Sequence, residues 1–377
     1  MAQSHARPES AAVQTIELAG LLRRAETLRR GNKLGEAAAI GQRILKRDPH
    51  HSGALHLMGV LALETGAGEI AAGMMTRALA QQPKSPTILV DYARAMHMHG
   101  RNAEAVTAFR KALALRPRDI GALCGLGEAL VDLGKKAEAL KCYRQVLALS
   151  PDHRLAAHMV EALDSRRNAA TNSYVADLFD GYADKFDKHL VETLEYRAPD
   201  LIADGLARHL PQGAANALDI GCGTGLVAAA LAAKVEAIDG IDLSPAMIEA
   251  ARAKGLYRHL AAGDSAAVLA ENPQFAGPYQ LVLAGDVFVY VGDLEATFAA
   301  VRQALAPQGH FLFTVEHAET GDYTVRSSAR FAHSEAYIAD LSAKNGLRML
   351  EVSRVTLRKE RYQPIVGRLT VLQRSED

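Results

Sequence analysis

Cysteine is nearly absent: Cys124, Cys142 and Cys222 are the only three in 377 residues, and no two stand in C-x-x-C spacing. An odd, scattered set fits a reducing compartment and argues against structural zinc. No run of eighteen apolar residues exists; the nearest candidate, residues 226–238, is broken by Lys234 and Glu236, so no membrane-spanning helix is expected. The first fourteen residues, rich in Ala, Ser, Gln and Pro, lack the apolar core of a signal peptide. An excess of charge of one sign is lacking too. With 43 basic and 43 acidic residues the formal net charge is zero, which indicates neither a bulk nucleic-acid partner nor an anionic membrane. The expectation is a soluble, cytoplasmic protein, long enough for two domains.

What is present first is a repeat. Pro49, Pro83, Pro117 and Pro151 follow one another at intervals of 34 residues. In the same frame fall Gly59, Ala93 and Gly127; Gly66, Gly100 and Gly134; Ala71, Ala105 and Ala139; and Met75, Phe109 and Tyr143. Small residues suit close helix contact, glycine ends a first helix, a bulky apolar residue fills the gap between repeats, and proline stops a second helix. This frame resembles the tetratricopeptide repeat in four copies over residues 16–151, preceded by a disordered tail, residues 1–15. The first copy is degenerate, with Ala25, Asn32, Ala37 and Gly41, as a solvent-facing end repeat tolerates. Residues 152–163 place Leu155, Met159, Val160 and Leu163 on one helical face, suitable for capping the last repeat, and a polar linker completes the segment 152–172. His153 and His158, five apart, lack the carboxylate or cysteine company of a metal site.

From residue 217 the pattern changes to short apolar runs, 217–220, 235–241, 257–261, 280–284 and 310–315, separated by helical stretches. That alternation predicts an α/β domain with a parallel sheet covered on both faces. Residues 347–355 and 365–372 are joined by a charged loop instead of a helix and should pair antiparallel.

The first of these strands runs into Leu218-Asp219-Ile220-Gly221-Cys222-Gly223-Thr224-Gly225, an acidic residue followed by three alternate glycines. Glycine there permits a sharp strand-to-helix turn and lets backbone amides approach a ligand with no Cβ in the way, which marks a nucleotide-binding loop. Asp242 closes the second strand seventeen residues after Gly225, placed to accept from the ribose hydroxyls of an adenosine. A dinucleotide fingerprint would be G-x-G-x-x-G, but here the third glycine arrives one residue early and Leu226 stands where that pattern wants glycine.

The Asp-x-Gly-x-Gly-x-Gly form resembles the cofactor loop of class I S-adenosylmethionine-dependent methyltransferases, and the resemblance covers residues 173–377. It implies a seven-stranded Rossmann-like sheet after an all-α tetratricopeptide solenoid, with S-adenosyl-L-methionine as cofactor. It also implies that the Gly221 to Gly225 amides, Cys222 and Thr224 included, face the methionine part of the cofactor, while Leu243 and Met247 contact adenine. By the same resemblance Asp264 accepts from the adenine amino group and the Ser265 amide donates to a ring nitrogen; an N-cap role for Asp264 is the minor alternative and is compatible with it. Cys222 reads as a small loop filler, not a nucleophile.

Past the fourth strand, Asp286 and Tyr290 are the candidates for the reacting region. Asp286 could orient or deprotonate a substrate, or contact the cofactor ammonium. Ahead of the first strand, the aromatic-rich stretch 174–190 looks like the lid helix of this superfamily, in a branch carrying tetratricopeptide repeats. The resemblance directs Tyr182 to the cofactor and His189 to the substrate, although Tyr174, Phe179 and Phe186 at helical spacing also suit plain core. Glu316-His317 and Arg358-Lys359-Glu360-Arg361 could recognise substrate, or could be a solvated strand end and a solubilising hairpin loop.

The leading expectation is methyl transfer to an unidentified acceptor, with the repeats recruiting a protein or peptide substrate or partner. The short region after the fifth strand, residues 318–331, leaves room for only a modest insertion, which favours a protein acceptor. A small-molecule methyltransferase whose repeats serve oligomerisation or localisation is the second reading, and a catalytically silent interaction scaffold the third. Gly285-Asp286-Val287-Phe288 stands where an Asn-Pro-Pro-Tyr-like motif would indicate methylation of a planar nitrogen.

Overall fold

The computed structural model describes residues 8–164, 172–181, 186–187, 194–360 and 363–376. The chain divides into two compact units, Met1–Pro151 and Asp152–Asp377. Among the described residues, no helix is long and apolar enough to cross a membrane.

The first unit is four helix pairs: α1 (Pro8–Arg30) with α2 (Leu34–Arg47), α3 (Ser52–Glu64) with α4 (Gly68–Gln81), α5 (Pro86–Met98) with α6 (Asn102–Leu115), and α7 (Ile120–Asp132) with α8 (Lys136–Leu149). The 34-residue frame has a direct packing cause. A Cβ on Gly59 would lie 2.8 Å from Met75, and one on Gly127 would lie 2.7 Å from Tyr143, so each bulky residue occupies the volume its paired glycine vacates. Phe109 in turn presses on Gly125 of the following repeat, where a Cβ would come within 2.4 Å. Met75, Phe109 and Tyr143 are fully buried as a result. Gly127→Val is therefore expected to destabilise this unit by about 1–3 kcal/mol, as overpacking does, and to lower the midpoint of its helical circular-dichroism transition.

Two features depart from expectation here. Helix α1 begins at Pro8, inside the segment expected as a disordered tail. Proline suits a helix start and the Ala-rich sequence behind it is strongly helix-forming. Helix N-caps also repeat at the 34-residue interval: His51, Ser85, Asp119 and His153 each accept from the amide three residues on. The imidazoles at two of these positions hid the pattern.

The second unit opens with α9 (Arg154–Leu163), α10 (Asn172–Asp180) and α11 (Ala198–His209). It continues as β1 (Ala214–Ile220), α12 (Leu226–Leu231), β2 (Val235–Asp242), α13 (Pro245–Lys254), β3 (His259–Ala262), α14 (Ser265–Glu271), β4 (Tyr279–Ala284), α15 (Glu295–Ala304) and β5 (Leu305–His317). It closes with β6 (Tyr323–Val325), β7 (Phe331–His333), α16 (Glu335–Lys344), β8 (Leu347–Glu360) and β9 (Gln363–Arg374). Strands β3-β2-β1-β4-β5 run parallel in that order. β9 pairs antiparallel with β5, and β8 antiparallel with β9, as the helix-free connection required. Side chains alternate between the two covered faces. Phe311 and Phe313 pack with Phe298, Val301 and Ile338 on one side, while Leu312 packs with Ile202, Leu206 and Leu231 on the other.

Among the described residues the sheet has nine strands instead of seven. The additional pair, β6 and β7, forms a tight antiparallel hairpin within the region expected to be a modest loop, and β7 continues the sheet beside the end of β5. Its turn is closed by the Arg326 amide donating to the Arg330 carbonyl at 2.7 Å, with Ala329 in the left-handed region at φ +62. Ordinary hairpin signals are Asn-Gly or Asp-Gly, so this turn carried no recognisable mark.

Strand β8 also runs further than the sequence predicts, through residues 358–360 of the expected charged loop. A register shift between Thr356 and Arg358 turns consecutive residues inward: Leu357 is 0% and Arg358 1% exposed. Such a bulge re-aims a side chain that simple alternation would send to solvent.

Candidate active site

The strand order reverses between β1 and β4, and an open parallel sheet has its crevice at the carboxyl ends of the strands beside that switch. A cavity of about 430 Å³ lies there, lined by residues leaving β1, β2, β3 and β4. After β1 the chain turns through Gly221, Gly223 and Gly225 with φ of +63, +53 and +90. A Cβ at Gly221 would lie 2.4 Å from the Val287 side chain, so the turn can approach β4 only with glycine in place. Of the loop residues predicted, Gly221, Cys222, Gly223 and Thr224 line the cavity, whereas Gly225 sits behind it against Tyr257.

Asp242 holds this loop. Its Oδ2 accepts from the Gly223 amide at 2.8 Å and its Oδ1 from the Ser244 amide at 2.9 Å. Burial nonetheless pushes its carboxyl above the ordinary value. Leu243, Met247, Asp264 and Ser265 complete the adjoining wall. Asp264 caps α14 by accepting from the Ala267 amide at 3.0 Å, the N-cap role the sequence left open.

Asp219 lies beneath the loop, 1% exposed. Tyr257 donates to its Oδ2 at 2.8 Å, while Oδ1 has no partner among the described residues. Burial pushes this carboxyl up to about 7. The apolar run 257–261 predicts Tyr257 inside β3, but the strand begins at His259 and the Tyr257 ring is turned under the glycine turn.

Asp286 and Tyr290 both line the cavity past β4. Asp286 adopts φ +60, a conformation costly for a residue with a side chain. Its amide donates to Thr314 Oγ1 at 2.8 Å, and both its carboxylate oxygens accept from Arg358 Nη1, at 2.7 and 2.9 Å. Burial raises its carboxyl, and the Arg358 guanidinium works against that. Arg358 also meets Glu360 at 2.8 Å and Glu316. Of the expected charged loop and solvated strand end, Arg358 and Glu316 are thus buried in an ion-pair network beside the cavity, while Lys359 remains in an exposed pair with Glu195 and Arg361 lies outside the described residues. Arg330, delivered by the hairpin turn, also lines the cavity; it pairs with Glu360 and lies over the Tyr290 ring, 5.7 Å from its centroid. Nothing in the sequence pointed to Arg330.

Helix α10 supplies Val175 and Phe179 to the opposite wall, with Phe179 edge-on to Tyr290 at 5.2 Å. Asp180 ties α10 to the start of α13, accepting from Ser244 Oγ at 2.5 Å. Asp187 pairs with Lys254 at 2.7 Å and accepts from the Thr224 hydroxyl, next to Phe186 on the same wall. Tyr182 and His189, the remaining candidates, lie outside the described residues. Among those that are described, no cluster of three or more His, Cys, Asp or Glu is placed to hold a metal ion.

A family model for the methyltransferase domain matches residues 218–311, and two for the tetratricopeptide repeat match residues 56–120 and 96–163. The chain carries a methyltransferase domain together with tetratricopeptide repeats. Its methyltransferase domain is similar to methyltransferase-like protein 27 of Homo sapiens, 47% identical over 85 residues, 22% of this chain and 34% of that protein. It is also similar to ubiquinone biosynthesis O-methyltransferase of Xylella fastidiosa, 29% identical over 195 residues, 46% of this chain and 75% of that one. The chain thus spans about a third of the length of the human relative. Magnesium protoporphyrin IX methyltransferase from Synechocystis, a solved structure, aligns at 16% identity with a TM-score of 0.43, over 54% of this chain and 99% of that one.

The raised carboxyl of Asp219 in the methyltransferase domain has a measurable consequence. Its folded pKa of about 7 exceeds the ordinary 3.8, so the folded state binds the extra proton and loses stability as pH rises between those values. Asp219→Asn is accordingly expected to stabilise the ligand-free protein at pH 8 and to change little at pH 4. Denaturant midpoints at the two pH values would check this, and an equal shift at both would contradict it.

Proposed function

We propose that this protein transfers the methyl group of S-adenosylmethionine to an acceptor admitted beside Asp286 and Tyr290. The reading is carried by one convergence: the bare glycine turn and the Asp242 carboxylate that holds it meet at the cavity on the switch point. The residues present suit the cofactor. Asp242 would hold the ribose, using the lone pairs that its two amide bonds leave free. Leu243 and Met247 would flank adenine, Asp264 and Ser265 would read its polar edge, and the Gly221 to Gly225 turn would accept the amino-acid tail without side-chain obstruction. When bound, S-adenosylmethionine supplies an electrophilic methyl on a sulfonium centre. The contribution of the chain is then alignment and exclusion of water. Phe179, Tyr290 and Val175 form an apolar wall on the acceptor side. Asp286, fixed by Arg358, is suited to orienting a polar group, not to roaming as a base.

The repeats recruit the protein or peptide that carries or presents the acceptor, since stacked helix pairs build an extended binding surface. A small-molecule oxygen acceptor is the second reading. It draws on the Xylella relative, which is named an O-methyltransferase, and on the enclosure of the cavity by α10.

Titration calorimetry with S-adenosylmethionine and S-adenosylhomocysteine tests the first step. Binding of both, with no response to a nicotinamide dinucleotide, is the expected result, and the reverse pattern ends the proposal. Full-length protein with methyl-labelled cofactor, incubated with the material it captures, tests the second. Label on a captured polypeptide supports recruitment, label confined to small-molecule extracts supports the second reading, and no label supports the silent scaffold.

A further inference from the structure

Helices α9 and α10 and the β6–β7 turn meet at one buried imidazole. His158, in α9, has no exposed surface. Its ring is stacked on that of Tyr174 in α10, with centroids 4.5 Å apart and planes 22° from parallel. Phe331 of β7 stands edge-on to it at 6.0 Å. Its Nε2 lies 2.9 Å from the Ala329 carbonyl oxygen, across 171 positions of sequence, and a carbonyl can only accept, so the proton sits on Nε2. Nδ1 has no partner among the described residues and burial pulls the ring below the ordinary histidine value, so the imidazole is neutral. A neutral ring with one directed bond and two aromatic neighbours is suited to holding elements in register.

Two of the three contacts of this ring, Tyr174 and Ala329, lead to the cavity wall in a single step. Tyr174 is followed by Val175 and, one turn later, by Phe179, and both of these line the cavity. Ala329 is followed by Arg330, which lines the cavity and covers Tyr290. Ala329 holds φ +62, unfavourable for an alanine, so the surrounding contacts must fix the turn that aims its carbonyl at His158.

We propose that His158 is a positioning residue for methyl transfer. It clamps α10 to the β6–β7 turn, so that the two walls contributed by Val175, Phe179 and Arg330 close on the same cavity, although His158 itself touches neither cofactor nor acceptor. This inference rests on the reading of the cavity as an S-adenosylmethionine site.

A residue that merely filled space would alter stability and leave ligand affinity alone, so the test measures both. Full-length wild type, His158→Ala, His158→Phe, Tyr174→Ala and the His158→Ala/Tyr174→Ala double variant are titrated calorimetrically with S-adenosylhomocysteine, and their thermal midpoints are recorded. His158→Ala is expected to weaken binding about fivefold to thirtyfold, from the combined loss of one buried hydrogen bond and one aromatic contact. His158→Phe keeps the ring and its volume but loses the bond to Ala329, and should weaken binding about twofold to tenfold. Tyr174→Ala should weaken binding as well, and the double variant should be no more than about twofold weaker than the weaker single variant, as expected of one shared contact. Lowered midpoints with unchanged affinity, or fully additive losses, would overturn the proposal. Should His158→Ala fail to fold, the folded His158→Phe and Tyr174→Ala decide it by the same readout. Wild type that fails to bind S-adenosylhomocysteine overturns the cofactor reading and this inference with it; wild type that binds alongside unaffected variants overturns this inference alone.

Discussion

Asp242→Ala should lower the affinity for S-adenosylhomocysteine by roughly a hundredfold, because charge-assisted hydrogen bonds of this kind contribute about 1.5–3 kcal/mol each. The effect reaches beyond any ribose contact. Asp242 is 9% exposed and accepts two backbone amides, from Gly223 at 2.8 Å and from Ser244 at 2.9 Å. Without it, the glycine turn loses the group that fixes Gly223, and the start of α13 loses its link to β2. The ligand then has to order the turn as well as bind it. Asp242→Asn retains one carbonyl oxygen, but its amide group must face one of the two N–H donors, so a smaller loss of about tenfold is expected. Calorimetry on both variants, with far-ultraviolet circular dichroism confirming the fold, checks the ranking. Wild-type affinity in Asp242→Ala would remove the carboxylate from the binding site.

That Asp242 could be singled out from sequence reflects which forces are local. The repeat frame was legible because each helix pair is stabilised by contacts at fixed short separation, such as Gly127 against Tyr143, sixteen positions apart. The glycine turn was legible because a backbone conformation restricted to glycine leaves a residue signature. Strands β1 to β5 and the antiparallel ending followed from apolar runs and from the presence or absence of intervening helices. What escaped was long-range or irregular. Arg358 was read as a loop charge because the bulge at 356–358 breaks the alternation that would have predicted its direction. The β6–β7 hairpin was missed because Ala329 occupies a conformation usually announced by Gly or Asn. His158 and Tyr257 gained their partners, Ala329 and Asp219, only through the tertiary fold. The part of the cavity wall that leaves β1, β2 and β3 was therefore readable in advance, and most of the rest of the lining was not. That remaining lining is assembled from α10, β8 and the hairpin turn, none of which shares a local pattern with the others.

Arg358→Met is expected to be the most damaging single substitution for the fold of the second unit. The Arg358 side chain is 1% exposed and lies among Asp286, Glu316 and Glu360, of which Asp286 and Glu316 are themselves nearly excluded from solvent. Methionine fills comparable volume, so the loss is electrostatic: Asp286 and Glu316 keep their desolvation cost and lose their buried cation, Glu316 retaining only the partly exposed Arg326 at 3.3 Å. Breaking a buried pair in this way costs about 3–5 kcal/mol. The sign of its pH dependence follows. Burial already holds the Asp286 carboxyl above its ordinary value and the guanidinium opposes that, so without Arg358 the folded state takes up a proton more readily as pH falls and the deficit relative to wild type shrinks from pH 8 towards pH 5. Arg358→Lys should recover only part of the loss, since one ammonium cannot present a planar fork to three carboxylates. Adding Asp286→Asn and Glu316→Gln to Arg358→Met should restore most of the stability by removing the uncompensated charge. With two units in the chain, one global transition need not describe unfolding, so the measurement is hydrogen exchange of peptides from β4 and β5 in denaturant. A deficit independent of pH, or one that the added Asn and Gln fail to relieve, would mean that Arg358 acts through packing instead of charge.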